Sequence, residues 1–352
     1  MKKIDRFRGA LLGLACGDAV GTTVEFKPRG TFATVTEMVG GGPFALKKGE
    51  WTDDTSMALC LASSLIELER FDARDQMRRY CRWMDEGYYA SNGTCFDIGI
   101  TVEEALTAFK ESGVSYSGST DRYAAGNGCL MRLAPIPMFF STSRLATSQH
   151  ALLSAKTTHG ADECLQASVL FADMLYRAFA GASKEAILNE DAYCQEQNFS
   201  ASIAALARGD YRVKTSEDIR GTGYVVDSLE AALWCFSKAH SVEETILMAA
   251  NLGDDADTTA AIAGQLAGAF YGVAAIPKNW LAHLVMRDEI TELADRLLTV
   301  GGASTEAAYA PSAVVQGVKG KDGVPAAFVV WDRTRVIKAA PTTKANDKKT
   351  KG

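Results

Sequence analysis

Glycine recurs at every fourth position in two stretches of this chain: Gly9, Gly13, Gly17 and Gly21 near the start, and Gly264, Gly268 and Gly272 much later. Residues four apart share one face of a helix, so each ladder would draw a bare stripe along it. Every such glycine costs a helix roughly 1 kcal/mol relative to alanine. What the stripe offers in return is close approach of another backbone, and tight packing is the plain reading of both ladders. Both ladders also end beside acidic motifs, so close packing would gather those acids in one place.

The remaining hydrophobic spacing is helical as well. Apolar residues recur at i, i+3/i+4 and i+7 over 53–70, 75–84, 98–109, 144–156, 162–179, 225–238, 242–250, 257–273 and 288–298. Strand-like alternation is nearly absent before residue 310, and no repeat, charge run or Pro/Ser-rich linker divides the first 300 residues. The expected fold is therefore all-α, with residues 1–305 as a single domain although a 352-residue chain has room for two. Residues 306–340 read as a C-terminal extension, in which 326–337 predicts one or two short strands or an extended arm. Residues 341–352 read as a disordered polar tail.

Composition closes several functional classes. A net charge of −6 argues against a nucleic-acid binder. The eight cysteines show no C-x-x-C spacing, which leaves buried, reduced thiols of a cytoplasmic protein. Lys2, Lys3, Arg6 and Arg8 before the apolar run 9–16 mimic a secretion or lipoprotein signal. Asp5 interrupts the basic segment and Gly13 weakens the apolar one, so export is not expected. The apolar stretch 258–276 is built mainly of Ala and Gly around Gln265 and reads as a buried core helix, with no membrane partner. No G-x-S-x-G, H-E-x-x-H or P-loop motif occurs, and no strand supports a Rossmann unit.

Chemistry concentrates in two acidic clusters, each opening a helix: Trp51-Thr52-Asp53-Asp54-Thr55 and Gly253-Asp254-Asp255-Ala256-Asp257-Thr258-Thr259. Asp and Thr at a helix start cap free N–H groups and complement the helix dipole. Here there are more carboxylates than capping uses, and carboxylates with Thr hydroxyls are the donors a hard divalent cation takes. With no Cys or His among them, Mg²⁺ or Mn²⁺ fits better than zinc. The residues alone leave capping and metal binding both open. Weaker signals accompany them. Glu25 follows Gly17-Asp18-Ala-Val-Gly21 and by itself reads as a surface acid, and Asp97 reads as a helix cap. Gly126-Asn127-Gly128 has glycines at a helix start, where exposed N–H groups can hold phosphate. His159 reads by itself as a cap or packing residue.

In order along the chain, these pieces resemble one family. Gly13-Leu-Ala-Cys-Gly-Asp-Ala-Val-Gly21 with Glu25, Trp51–Thr55, Gly-Thr-Cys-Phe-Asp-Ile-Gly99, Gly-Asn-Gly-Cys-Leu-Met-Arg132, Thr-His-Gly160, the 223–234 segment and Gly253–Thr259 are similar to the ADP-ribosylglycohydrolases. The likeness is greatest to the bacterial ADP-ribosyl-[dinitrogen reductase] hydrolase type, and it spans about residues 4–300.

The resemblance implies an all-α multi-helix hydrolase with a cleft holding two divalent cations, Mg²⁺ or Mn²⁺. It implies Thr52, Asp53, Asp54, Asp255, Asp257 and Thr258 as ligands, with Asp254 outside the set. Asp97 and Glu25 would be the catalytic acids, sharing the roles of base to the water and acid to the leaving guanidine. Gly126, Asn127 and Gly128 would wall the phosphate side, with His159 near the nucleotide and Tyr224 at the mouth. The implied activity removes ADP-ribose from a modified arginine, so the expected partner is an ADP-ribosylated protein met by a monomer. Two alternatives stand beside it: hydrolysis of another ADP-ribosyl linkage, and an immunity protein that neutralises an ADP-ribosylating toxin or transferase by hydrolysis, binding or both.

Overall fold

The computed structural model describes residues 1–189 and 197–304, together with a two-residue antiparallel pairing of Val318–Lys319 with Pro325–Ala326. The tail 341–352, the rest of the 306–340 extension and Cys194 lie outside the described residues.

Helix α1 (Lys3–Gly21) and a late helix, α13 (Ala256–Tyr271), form the centre. Both are apolar nearly all round, the pattern of a helix covered on every side, and each is buried from end to end of its middle. The glycine stripes face one another. A Cβ built on Gly9 would lie 2.1 Å from the Gly268 carbonyl oxygen, on Gly13 2.4 Å from that of Gly264, on Gly17 2.2 Å from Ala260 and on Gly21 2.4 Å from Ala256. The contacts ascend on one helix as they descend on the other, so the pair is antiparallel. The sequence asks each stripe to admit some backbone, and the structure shows that the backbone is the other stripe's. Gly272 departs from the ladder: it stops α13 with φ of 81° and meets Met1.

Antiparallel packing places the C-terminus of α1 beside the N-terminus of α13, which is where the acids are. The other helices sheathe this pair. They are α2 (Asp53–Leu68), α3 (Ala73–Glu86), α4 (Ile100–Ser112), the one-turn α5 (Gly128–Met131), α6 (Pro135–Phe139), α7 (Arg144–Lys156), α8 (Asp162–Phe179), α9 (Lys184–Leu188), α10 (Ala201–Arg208), α11 (Val225–Lys238), α12 (Val242–Ala250), α14 (Lys278–His283) and α15 (Arg287–Ser304). The all-α expectation holds. The short helices α6, α9, α10 and α14 were not evident from spacing, because one or two turns carry too few apolar positions to show a period.

Gln265 explains itself in place. Its side chain accepts from the Ala134 N–H at 2.8 Å and donates to the Leu130 and Met131 carbonyls at 3.1 and 3.0 Å. It thereby satisfies backbone groups left open between α5 and α6 and ties the Gly126–Met131 segment to α13. Among the described residues, no helix is long and apolar enough to cross a membrane, and the described cysteines are all free thiols.

Candidate metal centre and substrate mouth

Asp18 sits in α1, fully buried, and accepts four hydrogen bonds from the start of α2. Its Oδ1 takes the Thr52 N–H at 2.8 Å and the Thr52 hydroxyl at 3.0 Å; its Oδ2 takes the Thr55 N–H at 3.0 Å and the Thr55 hydroxyl at 2.6 Å. The free N–H groups of α2 are thus capped from a different helix, and Thr52 makes no side-chain cap bond of its own. Asp255, at the head of α13, makes none either. Capping therefore does not account for the carboxylates of the two clusters. Asp18 belongs to a quoted motif but was not singled out as a site residue; the available signal was a charge inside an otherwise small, apolar helical run.

The clusters meet. Thr52 Oγ1 lies 3.3 Å from Asp257 Oδ2, and the Thr258 hydroxyl donates to Asp54 Oδ2 at 3.2 Å. Asp53, Asp54 and Asp257 bring carboxylate oxygens within 4.8 Å of one another, and so do Glu25, Asp97 and Asp257. Asp255 stands beside them, its Oδ2 accepting from Asn127 Nδ2 at 2.7 Å.

Glu25 and Asp97 arrive on loops. Glu25 is buried, not the surface acid its isolated position suggests. Reciprocal backbone bonds fix it there: Phe26 N–H to the Asp254 carbonyl at 2.7 Å and Asp254 N–H to the Lys27 carbonyl at 2.9 Å. Asp97 is not a helix cap, because α4 begins at Ile100 with Gly99 at its N-cap. It holds a left-handed φ of 59° two residues earlier. Phe26 and Phe96, the sequence neighbours of the two acids, both pack on Phe44, with ring centroids at 6.4 and 5.2 Å.

Electrostatically this is a costly arrangement. Burial first, and the neighbouring carboxylates second, raise Asp53, Asp54 and Asp257 well above the usual carboxylate range. The same causes push Glu25 up to about 9 and Asp97 up to about 7. Asp54 Oδ1 and Asp257 Oδ1 are buried with no hydrogen-bond partner among the described residues. Clustered carboxylates, adjacent Thr hydroxyls and orphaned buried oxygens are what a hard divalent cation would satisfy. The residues present fit such a group.

A pH dependence follows. Carboxyls whose folded values lie above their unfolded ones hold a proton in the fold that the unfolded chain has released. Their contribution is intact below about pH 4, where the unfolded chain is also protonated, and is lost as pH rises through the folded values of about 7 and about 9. A bound cation prefers the ionised form. The gap in Tm between cation-loaded and chelated protein is thus expected to widen steadily from about pH 5 to about pH 8. Thermal melts with Mg²⁺, Mn²⁺ or EDTA across that range check it, and a gap that narrows would contradict it.

Beside the acids lies the mouth. Backbone bonds join Asn127 N–H to the Gly223 carbonyl and Val225 N–H to the Ala125 carbonyl, each at 3.0 Å. Gly126, Asn127 and Tyr224 are thereby brought to one rim. A cavity of about 530 Å³ opens there, lined by Thr101, Tyr123, Gly126, Glu163 and Tyr224 among others. Of its lining residues Gly223 comes nearest the acids, since a Cβ built on it would lie 3.5 Å from Asp255 Oδ2. The Tyr224 hydroxyl donates to Glu163 at 2.6 Å; Glu163 was not foreseen, since an acid in the first turn of a helix has an ordinary dipole role. His159 is not among the residues that line this cavity. Its ring is buried beneath Gly126 and Gly128, and a Cβ on Gly128 would lie 2.8 Å from its Cε1.

Comparison with known proteins identifies the family. A family model described as ADP-ribosylglycohydrolase matches residues 1–307. The chain is 44% identical over 294 residues to an ADP-ribosylarginine hydrolase, Tri1, of Pseudomonas putida, covering 84% of this chain and 78% of the relative. It is 31% identical over 304 residues to the ADP-ribosyl-[dinitrogen reductase] glycohydrolase of Rhodospirillum rubrum, covering 85% and 97%. A solved structure titled ADP-ribosylglycohydrolase-related protein complex superposes with a TM-score of 0.76 at 42% identity, covering 85% of this chain and 99% of that one.

Proposed function

The chain belongs to the ADP-ribosylglycohydrolase family, and from that premise we infer its reaction: hydrolysis of the N-glycosidic bond between ADP-ribose and an arginine side chain on a protein. The enzyme would reverse mono-ADP-ribosylation, and two of its relatives bear the name ADP-ribosylarginine hydrolase. The observation that carries the reading is the shared carboxylate: Asp257 belongs both to the group with Asp53 and Asp54 and to the group with Glu25 and Asp97. Two cations, Mg²⁺ or Mn²⁺, held by Thr52, Asp53, Asp54, Asp255, Asp257 and Thr258, would supply Lewis acidity toward the ribose hydroxyls and the attacking water.

The chain's own residues supply the rest. Asp18 accepts the hydrogen bond of the Thr52 hydroxyl, leaving that oxygen's lone pairs for the acid side of the site. Breaking the bond to C1″ gives the ribose oxocarbenium character, so one carboxyl must take the water's proton and one must protonate the departing guanidine. Asp97 and Glu25 share these roles. Gly126, Asn127 and Gly128 wall the phosphate side, and Tyr224 lines the mouth. The catalytic unit is residues 1–305 and the compartment the cytoplasm, in keeping with its free thiols. Neutralising an arginine-directed toxin would be this same reaction applied to the toxin's product, and needs no second site.

Release of label from arginine- and serine-ADP-ribosylated proteins with Mg²⁺, Mn²⁺ or EDTA tests the reading. Release from arginine that stops with chelator is expected; release from neither, or release indifferent to EDTA, overturns it. Asp97→Asn is expected to lower turnover at least about a hundredfold, the scale of one acid–base group. Affinity for free ADP-ribose should stay near wild type by calorimetry, and wild-type turnover would remove Asp97 from the chemistry.

A further inference from the structure

Arg132 is fully buried in the segment that follows the Gly126–Gly128 loop, and among the described residues none of its contacts is a carboxylate. Its guanidinium meets the Thr158 hydroxyl, lies 3.7 Å from Met57 Sδ and sits 4.8 Å over the Tyr80 ring, while its Nε has no partner among the described residues. A buried cation left without an ion pair is expensive. A one-way hydrogen-bond relay gives this cation a task.

Arginine has donors only and does not deprotonate. Its Nη2–H therefore always occupies a lone pair of Thr158 Oγ1. The Thr158 hydroxyl has one proton to give, and His159 Nδ1, 2.8 Å away, is the acceptor within its reach among the described residues. His159 Nδ1 thus accepts, and the proton of a neutral imidazole stands on Nε2. Burial and the Arg132 charge hold the ring neutral, depressing it to about 3. Nε2 points at the glycine loop: it would lie 3.3 Å from a Cβ on Gly126 and 3.1 Å from one on Gly128, and it has no partner among the described residues.

We propose that Arg132 and Thr158 are positioning residues that hold His159 as a fixed Nε2–H donor beneath the Gly126–Gly128 wall, aimed at an anionic oxygen of the bound ligand. This rests on the function inferred above, since the ligand is ADP-ribose and the oxygen belongs to its diphosphate. A neutral donor locked in one tautomer needs no protonation event to bind, so its contribution is independent of pH around neutrality. It also explains the two glycines, because a side chain at either would strike the imidazole.

The test has an arm that does not depend on the substrate. In the full chain loaded with Mg²⁺, ¹⁵N NMR of the histidine rings, with the His159 signals assigned by their loss in His159→Gln, is expected to show Nε2 protonated and Nδ1 bare. Thr158→Val is expected to lose that pattern and Thr158→Ser to keep it. A wild-type ring protonated on Nδ1, or on both nitrogens, overturns the relay whatever the enzyme's substrate. The second arm is calorimetry with free ADP-ribose. Affinity should fall about tenfold in Thr158→Val, the worth of one hydrogen bond, and recover in Thr158→Ser; Arg132→Lys, which keeps a cation, should fall between them. Unchanged affinity in Thr158→Val with an altered tautomer overturns the ligand contact. If wild-type protein binds no ADP-ribose while the tautomer is as expected, the relay stands and the proposal that it serves this ligand is overturned together with the functional reading.

Discussion

Replacing Asp257 by Asn is expected to lower turnover roughly a thousandfold and, in the same protein, to raise the melting temperature in EDTA. The first effect follows from position. Asp257 is common to both carboxylate groups, so its loss would weaken the hold on a cation at either group, and several kcal/mol of transition-state stabilisation correspond to that factor. The second follows from cost. In chelated protein near neutrality the Asp257 carboxyl either stays charged among its neighbours or takes up a proton the unfolded chain has released, and each disfavours the fold. Asn avoids both. A variant that lost activity because it folded badly would melt lower, so the opposite signs separate metal binding from damage. Turnover against added Mn²⁺ and paired melts with and without EDTA make the measurement. A thousandfold loss accompanied by a lower Tm in EDTA would sink the account.

This pairing of sites was only partly legible in the sequence. Asp53, Asp54, Asp255 and Asp257 stood out because their number exceeds what two helix starts need. That they converge required knowing that the two glycine ladders pack on each other, and nothing in a periodicity names its partner. Asp18 was hidden for a related reason: its task, capping α2 from α1, is a contact between positions more than thirty residues apart. Asp97 reads by itself as a helix cap because aspartate serves helix caps and acidic sites alike. Only the left-handed turn at residue 97 and the start of α4 at Ile100 tell them apart. The all-α fold was easier to read, because a 3.6-residue period is local and long helices repeat it many times. His159 shows the limit from the other side. By itself it reads as a cap or packing residue and by resemblance as a neighbour of the nucleotide, and its ring is buried beneath Gly126 and Gly128.

The glycine stripes give the second large effect, and it should differ between their two ends. Gly268→Ala would put a Cβ 1.9 Å from the Gly9 carbonyl oxygen, and Gly21→Ala would put one 2.4 Å from that of Ala256 and 2.5 Å from the Asp257 Cα. No side chain can rotate away, since backbone faces backbone in both cases. Helix propensity returns about 1 kcal/mol for each alanine, while forcing packed elements apart costs about 3 kcal/mol at the upper end of overpacking. Both variants are therefore expected to lose about 2 kcal/mol in urea unfolding. Their metal dependence should diverge. Gly268 meets α1 near its start, far along the ladder from the acids, whereas Gly21 presses on the residue that both carboxylate groups share. The Mn²⁺ concentration for half-maximal turnover should rise at least about tenfold in Gly21→Ala, a loss of about 1.4 kcal/mol, and stay within about twofold of wild type in Gly268→Ala. Equal shifts at the two ends would mean that the stripes only hold the bundle together, and that the closeness of the α1–α13 approach does not set the spacing of the site.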